Sequence, residues 1–363
     1  MKASPTKSIC FFNSNRAWGG GEKWHYSMAK ELIRHGYKTT LVTNLQSQLR
    51  TKAVEDGLNV YSFSISNLSF LNPVKIITLY LFFKVKKFDT VIVNLPADLK
   101  VAGISARLAG VKNIIYRRGM PHALRNTWLN RFLFEKVLTK IIVNSNEIGR
   151  SLSEGNESWF PKDKLALLYN GISLTTPHDK SKKLYEKKGQ EFIIGNAGRL
   201  TPQKGQKYLI EMAEILHSKQ IDFKVLIAGE GELRSSLSDM VKLKGLQNRV
   251  ILLGHVTDMA GFMNSLDVFV FPSLFEGSAN TLIETLFYEK PIVAFDVSSN
   301  PEIIENGVNG FLTKSENSQD LAERVIELIN SVELREKFVT AGQRILREKF
   351  NNQEIIEKLK RII

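Results

Sequence analysis

The sequence predicts an α/β protein of two doubly wound, Rossmann-like domains, and three observations carry that prediction. Short runs of β-branched and aromatic residues alternate with helical periodicity along the whole chain, the rhythm of parallel β/α/β units. That rhythm starts twice, at Ser8 and again at Phe192, with a polar lysine-rich stretch between. A length of 363 residues, 43% of them hydrophobic, exceeds one core and supplies two domains of roughly 170 residues.

The first half opens with a buried strand, Ser8 to Ser14. It contains Cys10, the single cysteine, which reads as core filler; one thiol excludes an internal disulfide framework and fits a reducing compartment. A loop with Gly19, Gly20 and Gly21 follows, then a helix whose apolar face is Met28, Leu32 and Ile33 and which Gly36 stops. Glycines at a helix start let backbone approach a ligand and favour an anion, although a flexible β–α turn accounts for the same residues. The spacing is not that of a G-x-G-x-x-G dinucleotide fingerprint. Strands are expected at Thr39 to Thr43, Val60 to Phe63 and Thr90 to Leu95. Residues 72–88, which carry Lys75, Lys84, Lys86 and Lys87, read as a helix packed on the sheet, its lysines snorkelling at one end.

A strand from Asn113 to Tyr116 should end in Arg117, Arg118, Gly119, Met120, Pro121 and His122. The helix after it carries Arg125, Trp128, Arg131, Phe132, Phe134 and Lys136. Cations interleaved with aromatics fit anionic headgroups or a phosphorylated lipid, and equally an ordinary surface helix with core aromatics. Strands at Lys140 to Val143 and Leu165 to Leu168 complete the half.

In the second half, a strand from Phe192 to Asn196 leads to Gly198, Arg199 and Lys204, ahead of a helix over residues 206–217. Arginine grips oxygens in a bidentate fork and lysine adds a point charge, so this pair is a candidate diphosphate clamp. A strand from Lys224 to Ala228 ends in Gly229 and Gly231, and another runs from Arg249 to Leu253. Then come a strand from Val268 to Phe271, a loop with Glu276 and Gly277, a helix from Asn280 to Tyr288 and a strand from Pro291 to Phe295. Such a loop lies at the C-terminal edge of the sheet, where open α/β folds bind ligands. Glu276 and Glu284 offer acceptors for hydroxyls, and the amides of Ser278 to Thr281, Asn280 among them, are candidates to hold an anion. A nucleotide-sugar needs both kinds of partner; a capped helix with two solvated glutamates is the plain alternative. Helices follow at Leu321 to Ile329 and Leu334 to Phe350, and residues 351–363 form an amphipathic end.

Charge separates the halves. Residues 1–172 hold 25 Lys+Arg against 11 Asp+Glu, a net of +14, whereas residues 173–363 net −1. An anionic surface or substrate is therefore expected for the first half alone. No nucleic-acid recognition motif accompanies the charge. The six histidines are scattered, so no metal site is expected. No long apolar stretch precedes Asn13 to suggest a signal peptide, and the run from Ile76 to Phe83 is too short to span a bilayer, so a soluble or membrane-peripheral protein is expected.

Glu276, seven intervening residues and Glu284, flanked by Phe271-Pro272-Ser273 and by Lys290-Pro291-Ile292-Val293-Ala294, resemble the E-x7-E signature of the family 4 retaining glycosyltransferases. Gly19-Gly20 with Glu22, Gly198-Arg199 with Lys204-Gly205, Gly229 with Gly231, and Asn309-Gly310 with Leu312 resemble further motifs of that family along nearly the whole chain. The resemblance implies the GT-B architecture, two Rossmann-like β/α/β domains facing each other across a cleft. On that expectation residues 1–172 bind the acceptor, 173–186 are linker, 187–350 bind the donor, and a last helix over about 351–363 crosses back. It implies metal-independent, retaining transfer from a UDP-, GDP- or ADP-sugar to a glycan or lipid-linked glycan, with no bound cofactor. Carried over residue by residue, Glu276 contacts sugar hydroxyls, Glu284 grips the ribose, and Arg199 and Lys204 stabilise the departing diphosphate. The loop of Gly19, Gly20 and Glu22 faces the phosphates, and Gly229 and Gly231 lie beside the base.

Many relatives place a histidine just after the strand that starts at Asn113. Here Arg118 holds that register and His122 comes four residues later, so acceptor binding stays open between them. The implied setting is cytoplasmic, peripheral on the inner membrane, in bacterial envelope or lipopolysaccharide synthesis. A nucleotide-sugar epimerase of the same architecture and a silent partner of another transferase remain as rivals.

Overall fold

The computed structural model describes residues 7–174 and 181–363; part of the expected linker, residues 175–180, lies outside them. Two compact units result. One runs up to Asn170 and includes Gln353–Ile363; the other is Gly171–Asn352.

The first unit's strands are β1 (Ser8–Asn13), β2 (Lys38–Thr43), β3 (Val60–Ser62), β4 (Thr90–Val93), β5 (Asn113–Arg118), β6 (Lys140–Val143) and β7 (Leu165–Leu167). They form one parallel sheet in the order β3-β2-β1-β4-β5-β6-β7. Successive residues of a strand face opposite sides, and β1 feeds both layers of core accordingly. Ile9 and Phe11 pack with Trp24, Met28 and Leu32 of the helix Gly20–Arg34, together with Ile355, Ile356 and Leu359 of the last helix, Asn352–Ile362. Cys10 and Phe12 pack on the other side, in the cluster of Leu79, Phe83, Tyr116 and Phe134.

Two expectations need correction here. β5 does not stop at Tyr116: it runs on through Arg117 and Arg118, which pair with Ile142 and Val143 of β6. The helix expected after it is a short one, Trp128–Phe132, followed by a π-helical turn, Leu133–Val137. Gly119 and Pro121 oppose an earlier start, and Thr127 caps the helix by accepting from the Asn130 amide.

The second unit's strands are β8 (Phe192–Ala197), β9 (Phe223–Ala228), β10 (Val250–Gly254), β11 (Val268–Phe271), β12 (Ile292–Phe295) and β13 (Phe311–Thr313). Their order is β10-β9-β8-β11-β12-β13, again all parallel. Residues just before β8 are fastened to this unit: Leu184 N donates to Gly261 O (2.9 Å) and Tyr185 N to Ser265 Oγ (3.0 Å). Among the described residues, no helix is long and apolar enough to cross a membrane.

In each sheet the strand order reverses once, between β1 and β4 and between β8 and β11. Loops from neighbouring strands diverge at such a point and leave a crevice beyond the strands' C-terminal ends. The loops that carry Gly19 to Glu22, Gly198 to Lys204 and Glu276 lead from strands at these reversals, whereas Arg118 and His122 follow from β5.

Candidate functional site

In the second unit, the loops after β8 and β9 are tied by backbone hydrogen bonds. Gly198 N donates to Ala228 O (2.9 Å), Leu200 N to Glu230 O (2.9 Å) and Leu233 N to Leu200 O (3.0 Å). The fit is close enough to require glycine. A Cβ on Gly229, whose φ is +144°, would lie 1.9 Å from Gly198 O, and one on Gly231 would lie 2.4 Å from Leu200 O.

Beyond Thr201 a 3-10 turn, Pro202–Lys204, ends at Gly205 in the left-handed conformation, pressed against the Pro272 carbonyl at the end of β11. Leu274 N to Gln203 O and Gln203 Nε2 to Phe275 O, both 2.8 Å, bind this turn to the loop after β11. Lys204 and Glu276 are thereby brought together. Lys204 Nζ donates to Glu276 Oε1 at 2.6 Å, with side chains only 15% and 10% exposed, and lies over the Phe271 ring. Arg199 is exposed on the same loop, and its guanidinium has no partner among the described residues. Ser273 Oγ, Thr201 Oγ1 and Gln206 Oε1 are buried around these strand ends without a protein partner. A cation pair, a carboxylate and unpaired hydroxyls at one crevice can take a ligand that is both anionic and hydroxylated.

Glu284 is half-buried in the helix Asn280–Phe287, which starts after the Glu276 loop. The expected row of anion-holding amides is incomplete. The Asn280 amide closes a turn on Ser278 O (2.8 Å), and Ser278 Oγ donates to Asn280 Oδ1 (3.2 Å). Local polar groups compete for the helix start.

In the first unit a buried polar cluster occupies the reversal between β1 and β4. Glu22 Oε1 accepts from Asn13 Nδ2 and Asn15 Nδ2, each at 3.0 Å. Asp98 accepts from Ser14 Oγ (2.5 Å), Ser14 N (3.2 Å) and Leu95 N (3.3 Å). Burial, with a smaller push from Glu22, raises the Asp98 carboxyl to about 7 despite those donors. Arg117 is buried, stacks 4.8 Å over Trp24 and donates to Asn94 Oδ1 (3.4 Å) and Asn170 Oδ1 (3.3 Å). Desolvation lowers its guanidinium to about 10, and the Glu22 charge opposes that. His25 is fully buried against Phe11 and Trp24 with both ring nitrogens unpartnered; desolvation and then the Arg117 charge hold it well below the ordinary histidine range.

Gly19 is extended, Gly20 begins the helix, and the third glycine makes the tight contact: a Cβ on Gly21 would meet Asn94 Nδ2 at 2.6 Å. Arg118 donates through Nη1 to Tyr116 Oη (2.9 Å) and through Nη2 to His122 O (3.0 Å). His122 thus offers Arg118 its carbonyl, while its side chain is exposed. A cavity of about 250 Å³ lies here, lined by Tyr116, Arg118, Lys100, Arg125, Leu124 and Phe134 among others.

Asn13, Asn94, Asp98 and His25 escape sequence reasoning, and Arg117, expected as a loop cation, is instead buried in the sheet. The available signal was position: Asn13 and Asn94 end or follow buried apolar strands on either side of the sheet reversal.

Comparison with known proteins adds the family. The model for glycosyl transferases group 1 matches residues 178–345, and the model for glycosyltransferase family 4 matches residues 18–176. A capsular polysaccharide biosynthesis glycosyltransferase of Staphylococcus aureus is 30% identical over 232 residues, 64% of this chain and 59% of the relative. The alignment thus spans less than two thirds of that relative's length. The UDP-Gal:alpha-D-GlcNAc-diphosphoundecaprenol alpha-1,3-galactosyltransferase of Escherichia coli is 28% identical over 269 residues, 71% of this chain and 68% of the relative. Among solved structures, Anabaena HepE in complex with UDP superposes with a TM-score of 0.82 at 20% identity, covering 98% of both chains. The two parallel sheets are those of the GT-B glycosyltransferase fold.

Proposed function

The chain belongs to glycosyltransferase family 4, one model of that group falling on each unit, and from that premise we propose a retaining, metal-independent transfer of sugar from a nucleoside-diphosphate sugar to an acceptor hydroxyl. The observation that carries the reading is the Lys204–Glu276 contact at the reversal of the second sheet, with Arg199 on the same loop. Departure of the diphosphate is the demanding step. Arg199 and Lys204 stabilise its growing charge, the donor phosphate replacing Glu276 as partner of Lys204. Glu276, released, accepts from the sugar hydroxyls, and Glu284 accepts from the ribose. The acceptor attacks from the face the leaving group vacates, and a leaving-phosphate oxygen takes its proton, so no protein base is required.

Uridine is the base best supported, since the E. coli relative's name specifies UDP-galactose and HepE was solved with UDP. The acceptor is a lipid-linked or cell-envelope glycan, by analogy with the capsular and diphosphoundecaprenol names of the two relatives. Arg118, beside the first-unit cavity, neutralises its phosphate. The +14 first half draws the protein to an anionic membrane, on the cytoplasmic side where nucleotide sugars are made.

The test is transfer from a UDP-sugar panel to a diphosphate-lipid-linked sugar, with the anomeric proton coupling of the product read by NMR. The expected product keeps the donor's configuration and forms in EDTA. An inverted product would sink the retaining reading, and an EDTA-abolished reaction the metal-independent one. Epimerised donor appearing without acceptor would favour an epimerase.

A further inference from the structure

The helix Pro73–Lys86 in the first unit is apolar on nearly every side. Asn72 caps it by accepting from the Lys75 amide, Pro73 opens it, and Lys87 ends it in the left-handed conformation. Its inner face, Leu79 and Phe83 with Ile76 and Phe82, packs into the first unit's core. A globular helix normally carries polar residues opposite such a face. Here the opposite side carries Val74, Ile77, Leu81 and Val85, spaced so that they align in one stripe, and they are 69%, 55%, 53% and 74% exposed. Thr78 lies at the edge of that side, and its hydroxyl bonds back to Val74 O (2.8 Å), so it needs no water partner. Leu68 and Leu71 are exposed in the turn before the helix, which Lys75 Nζ fastens by donating to Ser64 O (2.7 Å) and Ser69 Oγ (3.1 Å). Single exposed apolar residues are ordinary, but an aligned stripe marks a contact surface.

Charge selects what covers it. Residues 57–88 contain no Asp or Glu, while Lys84 flanks the stripe and Lys87 stands at its C-terminal end; Lys86 turns to the other side of the helix, where its Nζ donates to Tyr61 Oη and lies over that ring. A second copy laid on this face would offer these lysines no carboxylate to pair with. A helix with one apolar side and lysines at its border suits the headgroup region of an anionic bilayer, where the stems snorkel and the ammonium groups meet phosphate.

We propose that the outward stripe of the helix Pro73–Lys86 is the surface by which this protein seats itself in an anionic membrane. The inference rests on the membrane-surface part of the reading above and gives it a location separate from the Trp128–Phe132 helix.

Flotation with phosphatidylcholine vesicles and with vesicles of equimolar phosphatidylcholine and phosphatidylglycerol tests it. Wild type should float with the anionic vesicles only. Ile77→Ser combined with Leu81→Ser should weaken that partition by roughly tenfold or more, with an unchanged unfolding midpoint, and Trp128→Ser should not. Leu81→Cys carrying a polarity-sensitive dye should shift to the blue on anionic vesicles, while Leu243→Cys in the second unit should not; Cys10 is buried and escapes labelling. Equal binding by the double variant and wild type, or loss of binding by Trp128→Ser alone, would overturn this location and leave the membrane reading standing. A dimer that the double variant dissociates would assign the stripe to a second copy. Wild type that binds neither vesicle would overturn both membrane statements, the sugar-transfer reading being tested separately.

Discussion

His25 and Asp98 lie in the same buried neighbourhood of the first unit and respond to pH in opposite directions. His25 is held neutral by burial and by the Arg117 charge, whereas an unfolded chain protonates it near pH ~6.5. The unfolded state then binds the extra proton, so the stability tied to His25 is whole above that pH and falls as pH drops. His25→Phe, which also removes two unpartnered ring nitrogens, should flatten the acid limb of a plot of urea midpoint against pH. Asp98 titrates at about 7 in the folded protein against an ordinary 3.8. The folded state keeps a proton that the unfolded chain loses, so this contribution is full below 3.8 and is lost as pH rises through about 7. Asp98→Asn should match wild type near pH 5 and lose less stability than wild type between there and pH 8. Opposite results in either variant would mean that the buried cluster is ionised differently.

At the scale of elements, the loops after β8 and β9 test how far close backbone contact shapes the crevice of the second unit. Gly36 and Gly229 both have positive φ, but a Cβ on Gly36 meets nothing within 4 Å, and one on Gly229 collides with Gly198 O. Gly36→Ala should cost ~1 kcal/mol or less from conformation alone; Gly229→Ala should cost ~1–3 kcal/mol or more, because two loops must separate. Urea unfolding gives both numbers, and equal losses would contradict the contact. Strands are most legible in the sequence where they are buried apolar runs, as in β6 and β11, whose expected bounds match to the residue; β3 and β7 are short and not buried. β5 runs past the end the sequence suggests because two arginines look like a loop, and only the fold supplies Trp24 for Arg117 to stack on. The motif residues of the second unit were legible, yet the Lys204–Glu276 pairing joins positions 72 apart and depends on how Gly205 seats against β11. The polar cluster of the first unit was not legible, since its members come from the ends of separate strands.

At the scale of the whole molecule, each unit has its own core, and the first unit's is closed by a segment distant in sequence. Ile355, Ile356, Leu359 and Ile363 cover Ile9, Phe11, Ile92 and Ile115, and Lys7 Nζ donates to the Ile363 carbonyl (2.8 Å). Burying several such side chains contributes ~1.5–3 kcal/mol each. Deleting residues 353–363 should therefore unfold or aggregate the first unit at a lower temperature, while a transition assigned to the second unit keeps its midpoint. Calorimetry on the full chain and the truncation would show this, and an unchanged first transition would mean that the last helix is not part of that core.

The central claim is that the crevice at the β8–β11 reversal binds a nucleoside diphosphate through Arg199 and Lys204. Thermal-shift titration with UDP, GDP and ADP and their sugar conjugates tests it most directly, with Arg199→Ala, Lys204→Ala and Glu284→Ala alongside wild type. The account predicts that the uridine series alone raises the melting temperature and that each variant loses most of that rise. No rise with any nucleotide, or a rise that all three variants retain, would contradict it.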